Sequence, residues 1–298
     1  MFVLAHLSDP HLAPLPRPRL RELLGKRVTG YLNWQRKRRL VHRSDVLSRI
    51  VADLKAQAID HIAITGDLIN ISLAGEYPPA RVFLESLGRP HDVTLVPGNH
   101  DAYVRAAARS PQAHWGDYMR GDDGGAASTD IFPSLRRRGP LALIGLWSAV
   151  PTLPFMATGR VGEAQLARLA QLLERCEREG LARVVLIHHP PLSQSGRSKR
   201  LTDAAALRGV LARHGAELVL HGHDHVRATV WLDGPRGKLP AVGVPSASEA
   251  PSGEHDPAGY NLYRIERSGD HWRIEMVSRG FARDRDAIVE LKRSVFGN

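Results

Sequence analysis

The chain has 298 residues, 43% hydrophobic, 24% charged and 6% aromatic, so it holds apolar side chains enough for one large core, and disordered or fibrous architectures are excluded. Lys and Arg number 41 against 31 Asp and Glu, a formal charge of +10, yet the excess is local. Between Arg17 and Arg43 stand ten basic residues and one acid, Glu22, so a basic surface all over the molecule is not implied.

In chain order, Phe2 to Leu7 reads as a strand that ends on Ser8-Asp9-Pro10-His11, where Pro10 stops the ladder. Ser44 to Ala58 carries apolar residues at Val46, Leu47, Ile50, Val51 and Leu54, which is helical spacing. His61 to Thr65 is the next strand and runs into Gly66-Asp67. Glu76 to Leu87 reads as a helix, and the strand Val93 to Val96 ends on Pro97-Gly98-Asn99-His100-Asp101. The stretch 110–140 reads as an irregular loop near the cleft, followed by a strand from Leu141 to Trp147. Gly162 to Arg178 is strongly amphipathic, with Leu166, Leu169, Leu172 and Leu173 on one face. Val184 to Ile187 is a strand ending on His188-His189-Pro190-Pro191. Thr202 to His214 reads as helix, and the strand Glu217 to Leu220 runs into His221-Gly222-His223-Asp224-His225. From Arg227 to Ser278, short β-like runs alternate with turns at Asp233-Gly234 and Ser268-Gly269.

Alternating strands and helices followed by a strand-rich tail predict an α/β layered fold, and no linker divides it, so a single domain over 1–298 is expected. The lone Cys176 cannot form an internal disulfide, and the first residues lack a signal peptide's apolar run, which predicts a cytoplasmic protein. No run approaches the roughly 20 apolar residues that cross a bilayer.

All five polar clusters sit at predicted strand ends, where α/β sheets gather ligands. Singly, each has a plain reading as a turn or a loop histidine. Together they bring two carboxylates, a carboxamide and several imidazoles to successive strand ends of one sheet, the inventory of a mixed oxygen and nitrogen metal site. Glycines at Gly66, Gly98 and Gly222 allow sharp turns there.

The order Asp9-x-His11, Gly66-Asp67, Gly98-Asn99-His100-Asp101, His188, Gly222-His223-x-His225 resembles the calcineurin-like metallophosphoesterase family. The resemblance implies a four-layer α-β-β-α sandwich with two mixed sheets and a dinuclear metal site at strand ends. Carried over, it implies one metal on Asp9, His11 and His225, a second on Asn99, His188 and His223, and Asp67 bridging them. In the family's His-His-Pro-Pro variant the first histidine is the usual ligand, so His188 is chosen and His189 is left as a neighbour. Two divalent or mixed-valence ions, manganese, iron or zinc, would share a hydroxide that attacks a phosphodiester or pyrophosphate, with no serine or cysteine nucleophile. His100 is implied just outside the metals as transition-state stabiliser or proton donor, and Asp101 is expected to orient it through its ring or a helix cap. His6, His42, His61, His91, His114, His214, His221, His255 and His271 read as surface or packing residues, with His255, in a polar loop, open also to a place within reach of substrate. Tyr103, His114, Trp115 and Tyr118 could line a leaving-group pocket or pack beneath the loop.

The basic amphipathic insertion 15–43 interleaves its charge with Leu20, Leu23, Leu24, Val28, Tyr31, Leu32 and Trp34. It is a solvated basic helix or an element lying on an anionic membrane surface. The second reading would place the protein on the inner face of the membrane as a peripheral pyrophosphatase of lipid-linked nucleotide-sugars, of the UDP-2,3-diacylglucosamine type. Nucleic acid ranks below these, because the stacking aromatics of a single-strand groove are missing. A non-catalytic metal-binding scaffold is the alternative of another class, and His100 argues against it.

Overall fold

β1 (Phe2–Leu7) is buried along its last four residues, as a strand covered on both faces must be. It pairs in parallel with β2 (His61–Ile64), which pairs in parallel with β3 (Val93–Leu95). The crossovers between them contain the helices Ser44–Lys55 and Tyr77–Leu87, which bury Ile50 and Leu54, and Ala80 and Leu84, respectively. On the other side of β1 the strands β10 (Gly259–Ser268), β11 (His271–Phe281) and β12 (Ile288–Phe296) run antiparallel, closing a six-stranded mixed sheet. This computed structural model describes residues 1–123, 131–193, 195–253, 255–284 and 286–297.

The second sheet takes the order β4 (Ser134–Arg138), β5 (Leu141–Gly145), β6 (Ala182–Leu186), β7 (Leu218–His221), β9 (Gly237–Gly243), β8 (Ala228–Gly234). Successive side chains of a strand face opposite ways, and the burial follows that period. Leu143, Val184 and Leu220 join Leu4, Ile64 and Leu95 in the core between the sheets. Ile144, Val185 and Val219 pack instead with Leu169 and Leu211 of the helices Glu163–Arg178 and Ala204–His214. Helices, sheet, sheet and helices form four layers, and the carboxyl ends of β1, β2, β3, β6 and β7 open on one site.

Three segments differ from the sequence reading. The stretch 110–140 holds the helix Ser110–Met119 and β4, while its part 124–130 lies outside the described residues. Its helix buries Trp115, Tyr118 and Met119, an apolar stripe obscured by Pro111 and Gly116. The tail is made of long strands rather than short runs, β10 and β11 having 10 and 11 residues. The basic insertion folds as a short turn at Leu20–Leu23, a helix Lys26–Asn33, a π-helical turn Trp34–Arg38 and a last turn Arg39–Val41. It lies as a cap on the core: a Cβ at Gly30 would stand 2.7 Å from both Ile71 Cγ2 and Tyr103 Oη, so only glycine permits this approach.

Candidate metal centre

Beyond the strand ends the chain turns through strained backbone. Asp9, His11, Asp67, His223 and His225 all have left-handed φ, between 39° and 70°, a conformation that costs a non-glycine residue of order 1 kcal/mol or more. Cross-ties hold it. Asp9 N donates to Gly66 O at 2.9 Å and His11 N to Asp67 O at 3.1 Å. The buried Asp101 carboxylate accepts from the amides of Asp67 and Gly98, both at 2.8 Å, and of Ile69 at 3.2 Å.

These turns bring Asp9, His11, Asp67, Asn99, His188, His223 and His225 together, all but His225 almost wholly buried. His188 Nδ1–H donates to Thr65 O at 2.6 Å. Its Nε2 then faces Asn99 Oδ1 at 3.1 Å, His223 Nδ1 at 3.2 Å and Asp67 Oδ2 at 3.4 Å. His223 in turn donates Nε2–H to Lys199 O at 2.8 Å, which leaves its Nδ1 a bare lone pair. Four electron-pair donors thus surround one point. On the other side His11 Nδ1–H donates to Ile69 O at 3.2 Å, and its Nε2 stands 3.3 Å from His225 Nε2, which is 3.1 Å from Asp9 Oδ1. Histidines whose second nitrogen is fixed on a carbonyl are the usual metal-ligand arrangement, and this donor set fits a pair of divalent cations.

The electrostatics agree. Burial disfavours charge on His188, yet the Asp67 and Asp9 carboxylates lift it to about 10. Asp9, with its hydrogen bond, likewise lifts His225 to about 9 against burial. Burial also penalises the Asp9 carboxylate, and His225 and His188 more than offset it, holding Asp9 well below its ordinary range. The pocket is built to hold positive charge.

His100 and a residue of the cap form the rim. His100 Nδ1–H donates to Asn70 O, its amide donates to Asp67 Oδ1 at 2.7 Å, and its ring stacks on Tyr103 with centroids 5.3 Å apart. Arg38, leaving the π-helical turn, places Nη1 3.0 Å from His100 Nε2 and Nη2 2.8 Å from His11 Nε2. Burial, then Arg38, push His100 down to about 3. The cap is fastened beside them: Lys26 Nζ lies 4.2 Å from the Tyr103 ring centre and donates to Thr152 Oγ1 and Met156 O.

Sequence reasoning missed three residues here. Arg38 was one cation among ten. His42, read as packing, puts its ring 4.4 Å from that of His11 and could offer a nitrogen with His11 and His225. Glu249 is buried, with both oxygens lacking a hydrogen-bond partner, and its Oε2 lies 3.8 Å from His225 Nδ1. It arrives because 246–250 pairs with the end of β1 and with the cap, through Ala247 N to Ser8 O and Ala250 N to Val41 O. No spacing signal in the sequence marks that juxtaposition.

Other expectations need correction. Asp101 turns its oxygens to the three amides that staple the β2 and β3 turns together, and the His100 ring is held instead by Asn70 O, Arg38 and Tyr103. His189, whose nitrogens could also join a cluster with His188 and His223, is engaged by Ser148 Oγ at 2.8 Å and Ala157 O at 3.2 Å. Of the two readings open for Trp115 and Tyr118, the structure bears out packing, both belonging to the core, and His114 stacks on Tyr77. His255 lines the cleft, with its ring 5.9 Å from that of His225. The cleft itself has a volume of about 340 Å³ and is walled by Asn33, Lys37 and Arg38 of the cap.

A family model described as calcineurin-like phosphoesterase matches residues 2–227. Among solved structures the chain is similar to a dimetal phosphatase from Danio rerio, at 14% identity over 99% of this chain and 98% of that one, with a TM-score of 0.68. It is also similar to the sulfate thiohydrolase SoxB of Thermus thermophilus in complex with glycerol, at 16% identity over 99% of this chain and 56% of that one, with a TM-score of 0.52. At these identities the likeness speaks for the fold. A search of curated proteins finds no match.

Proposed function

The chain belongs to the calcineurin-like phosphoesterase family, and from that premise we propose that it hydrolyses a phosphodiester or pyrophosphate with two divalent cations. One cation would be held by Asp9, His11 and His225, the other by Asn99, His188 and His223, with Asp67 between them. Such a pair, when bound, acidifies water and neutralises phosphoryl charge. The observation that supports the reading is the convergence of Asn99 Oδ1, His223 Nδ1 and Asp67 Oδ2 on His188 Nε2, a donor set that suits a divalent cation in place of the imidazole proton.

The chain's own residues supply the rest. Arg38 offers two N–H donors beside the ligands, the geometry that holds phosphoryl oxygens. In the resting site His100 is neutral, with Nε2 accepting from Arg38. An entering phosphoryl anion would take over the Arg38 donors and free His100 Nε2 to take up a proton from solvent, which the ring then passes to the departing oxygen. Tyr103 stacking and the Asn70 carbonyl keep that ring in place. Glu249 stands behind His225, its Oε2 3.8 Å from Nδ1, and places a buried carboxylate where it favours positive charge at that ligand. Asn33 lines both the cleft and an adjoining groove of about 490 Å³, so a phosphorus substituted on both sides has room on each.

The test is hydrolysis of bis(p-nitrophenyl) phosphate beside p-nitrophenyl phosphate, with manganese and with chelator. Diester turnover that chelation abolishes and Asp67→Ala eliminates is expected. Turnover persisting in metal-free protein would reject the mechanism, and metal binding without turnover of any phosphoester would favour the scaffold reading. A second reading, a pyrophosphatase of lipid-linked nucleotide-sugars, is favoured by the apolar side chains that the cap exposes beside the groove.

A further inference from the structure

The cap's sequence makes an unusual surface. Its one acid, Glu22, is consumed locally, accepting from the amides of Arg19 and Ala74. Three of its cations point inward: Lys26 to Thr152 and Met156, Arg27 to the carbonyls of Ile71 and Ser72, and Arg38 into the cleft. Arg17, Arg19, Arg21, Arg36, Lys37 and Arg39 are exposed. Among them stand apolar side chains given to solvent: Leu20 is 89% exposed and Leu24 76%, while Val28 and Leu32, one turn apart on the cap helix, are about half exposed. The turn that Lys26 fastens to this helix adds Leu153, 77% exposed, and Phe155, 87% exposed. Phe155 and Leu32 flank the groove that shares Asn33 with the cleft.

Scattered apolar side chains on a surface need no explanation. These six, with the exposed Leu40 and Met156 of the same cap and turn, make eight large apolar side chains interspersed with six exposed cations and no free acid, a patterned surface. We infer that this face docks on an anionic lipid bilayer, seating the mouth of the cleft among the headgroups, and that the substrate phosphoester is carried on a lipid. The second part rests on the hydrolase reading above; the docking does not. The charge selects an anionic surface, and the leucines and Phe155 select one with an apolar interior, which a nucleic acid lacks. Among the described residues no helix is long and apolar enough to cross a membrane.

The experiment uses the whole chain and vesicles of phosphatidylcholine with or without phosphatidylglycerol. Wild type should cosediment with the phosphatidylglycerol vesicles, several-fold less as salt rises, and hardly with phosphatidylcholine alone. The variant L20S/L24S/L153S keeps every cation, and its exposed positions leave folding intact; it should lose most of the cosedimentation. Two substrates read the second part: ethyl p-nitrophenyl phosphate in solution, and hexadecyl p-nitrophenyl phosphate in phosphatidylglycerol vesicles. The variant should match wild type on the first and fall at least 5-fold on the second, a floor worth about one buried methylene and so well under the loss of three leucines seated in the interface. No cosedimentation at low salt, or equal cosedimentation by the variant, overturns the docking; the second result, with a DNA duplex competing the protein off the vesicles, would mark the face as a polyanion site. Equal rates of both proteins on the vesicle substrate overturn the lipid-borne substrate. Failure to cleave either diester, or a pyrophosphate diester added beside them, would refute the hydrolase reading, and with it the substrate, while leaving cosedimentation to judge the face.

Discussion

Gly98 is where a single methyl should do the most harm for its size. A Cβ built there would stand 2.1 Å from Asp67 Oδ1, 2.5 Å from Asp67 N and 2.7 Å from Asp67 Cγ. Real Cβ atoms essentially never approach closer than 3.0 Å, so in Gly98→Ala roughly 1 Å of separation must open. Rotating the carboxylate does not provide it, because Oδ1 accepts from His100 N at 2.7 Å and the amides of Asp67 and Gly98 share Asp101 Oδ2 at 2.8 Å each. The two turns must separate, carrying Asp67 and Asn99 with them. A misplacement of about 1 Å in a catalytic group costs about 100-fold in rate, and the overpacking destabilises by about 1–3 kcal/mol. The assay is kcat on bis(p-nitrophenyl) phosphate together with bound metal by elemental analysis and thermal melting. The expected result is kcat down about 100-fold, substoichiometric metal and a still cooperative unfolding transition. Wild-type kcat and full metal content in Gly98→Ala would refute the placement of Asp67 between the two sets of ligands.

Further predictions concern residues around that site and one far from it. Arg38→Ala should lower kcat/KM by about 10- to 100-fold, the worth of a charge-assisted hydrogen bond, at unchanged metal content; Arg38→Lys should recover only part, since an ammonium cannot present two parallel donors. Equal kinetics in Arg38→Ala would mean that the guanidinium does not meet substrate. Glu249→Gln should weaken metal binding about 10- to 100-fold in a chelator competition, and an unaltered affinity would remove Glu249 from the account. Asp53 bonds Arg279 through both oxygens, at 2.8 Å each, and Tyr260 Oη at 2.5 Å, so Asp53→Ala should cost about 2 kcal/mol in urea unfolding with kcat intact. Burial raises Asp53, but Arg279 and Tyr260 outweigh it and hold the carboxyl below its ordinary range. Its stabilisation is therefore present above about pH 4 and lost on acidification, and a stability profile of Asp53→Ala as steep as wild type on the acid side would contradict that sign.

The convergence of the proposed ligands was legible because each group of donors occupies a few consecutive residues at the end of one strand, where a local turn alone decides which way they point. Asp9 and His11 follow β1, Asp67 follows β2, Asn99 follows β3, and His188 follows β6 with no other element intervening. What escaped the sequence depends on contacts between distant segments. Arg38 differs from nine neighbouring cations only because the cap helix seats on Ile71 and Tyr103 through Gly30 and a π-helical turn then redirects the chain. Glu249 and His42 enter through the pairing of 246–250 with the end of the cap. The strand β12 hid for a similar reason, its Glu290-Leu291-Lys292-Arg293 being an exposed edge without the alternation of a half-buried strand.

Anomalous scattering from crystals grown with manganese tests the central claim most directly. The account predicts two peaks about 3.5–4 Å apart, one against Asp9, His11 and His225, the other against Asn99, His188 and His223, with an Asp67 oxygen reaching each. A pocket free of anomalous density at saturating manganese, or a lone ion that Asp67 does not touch, would contradict it.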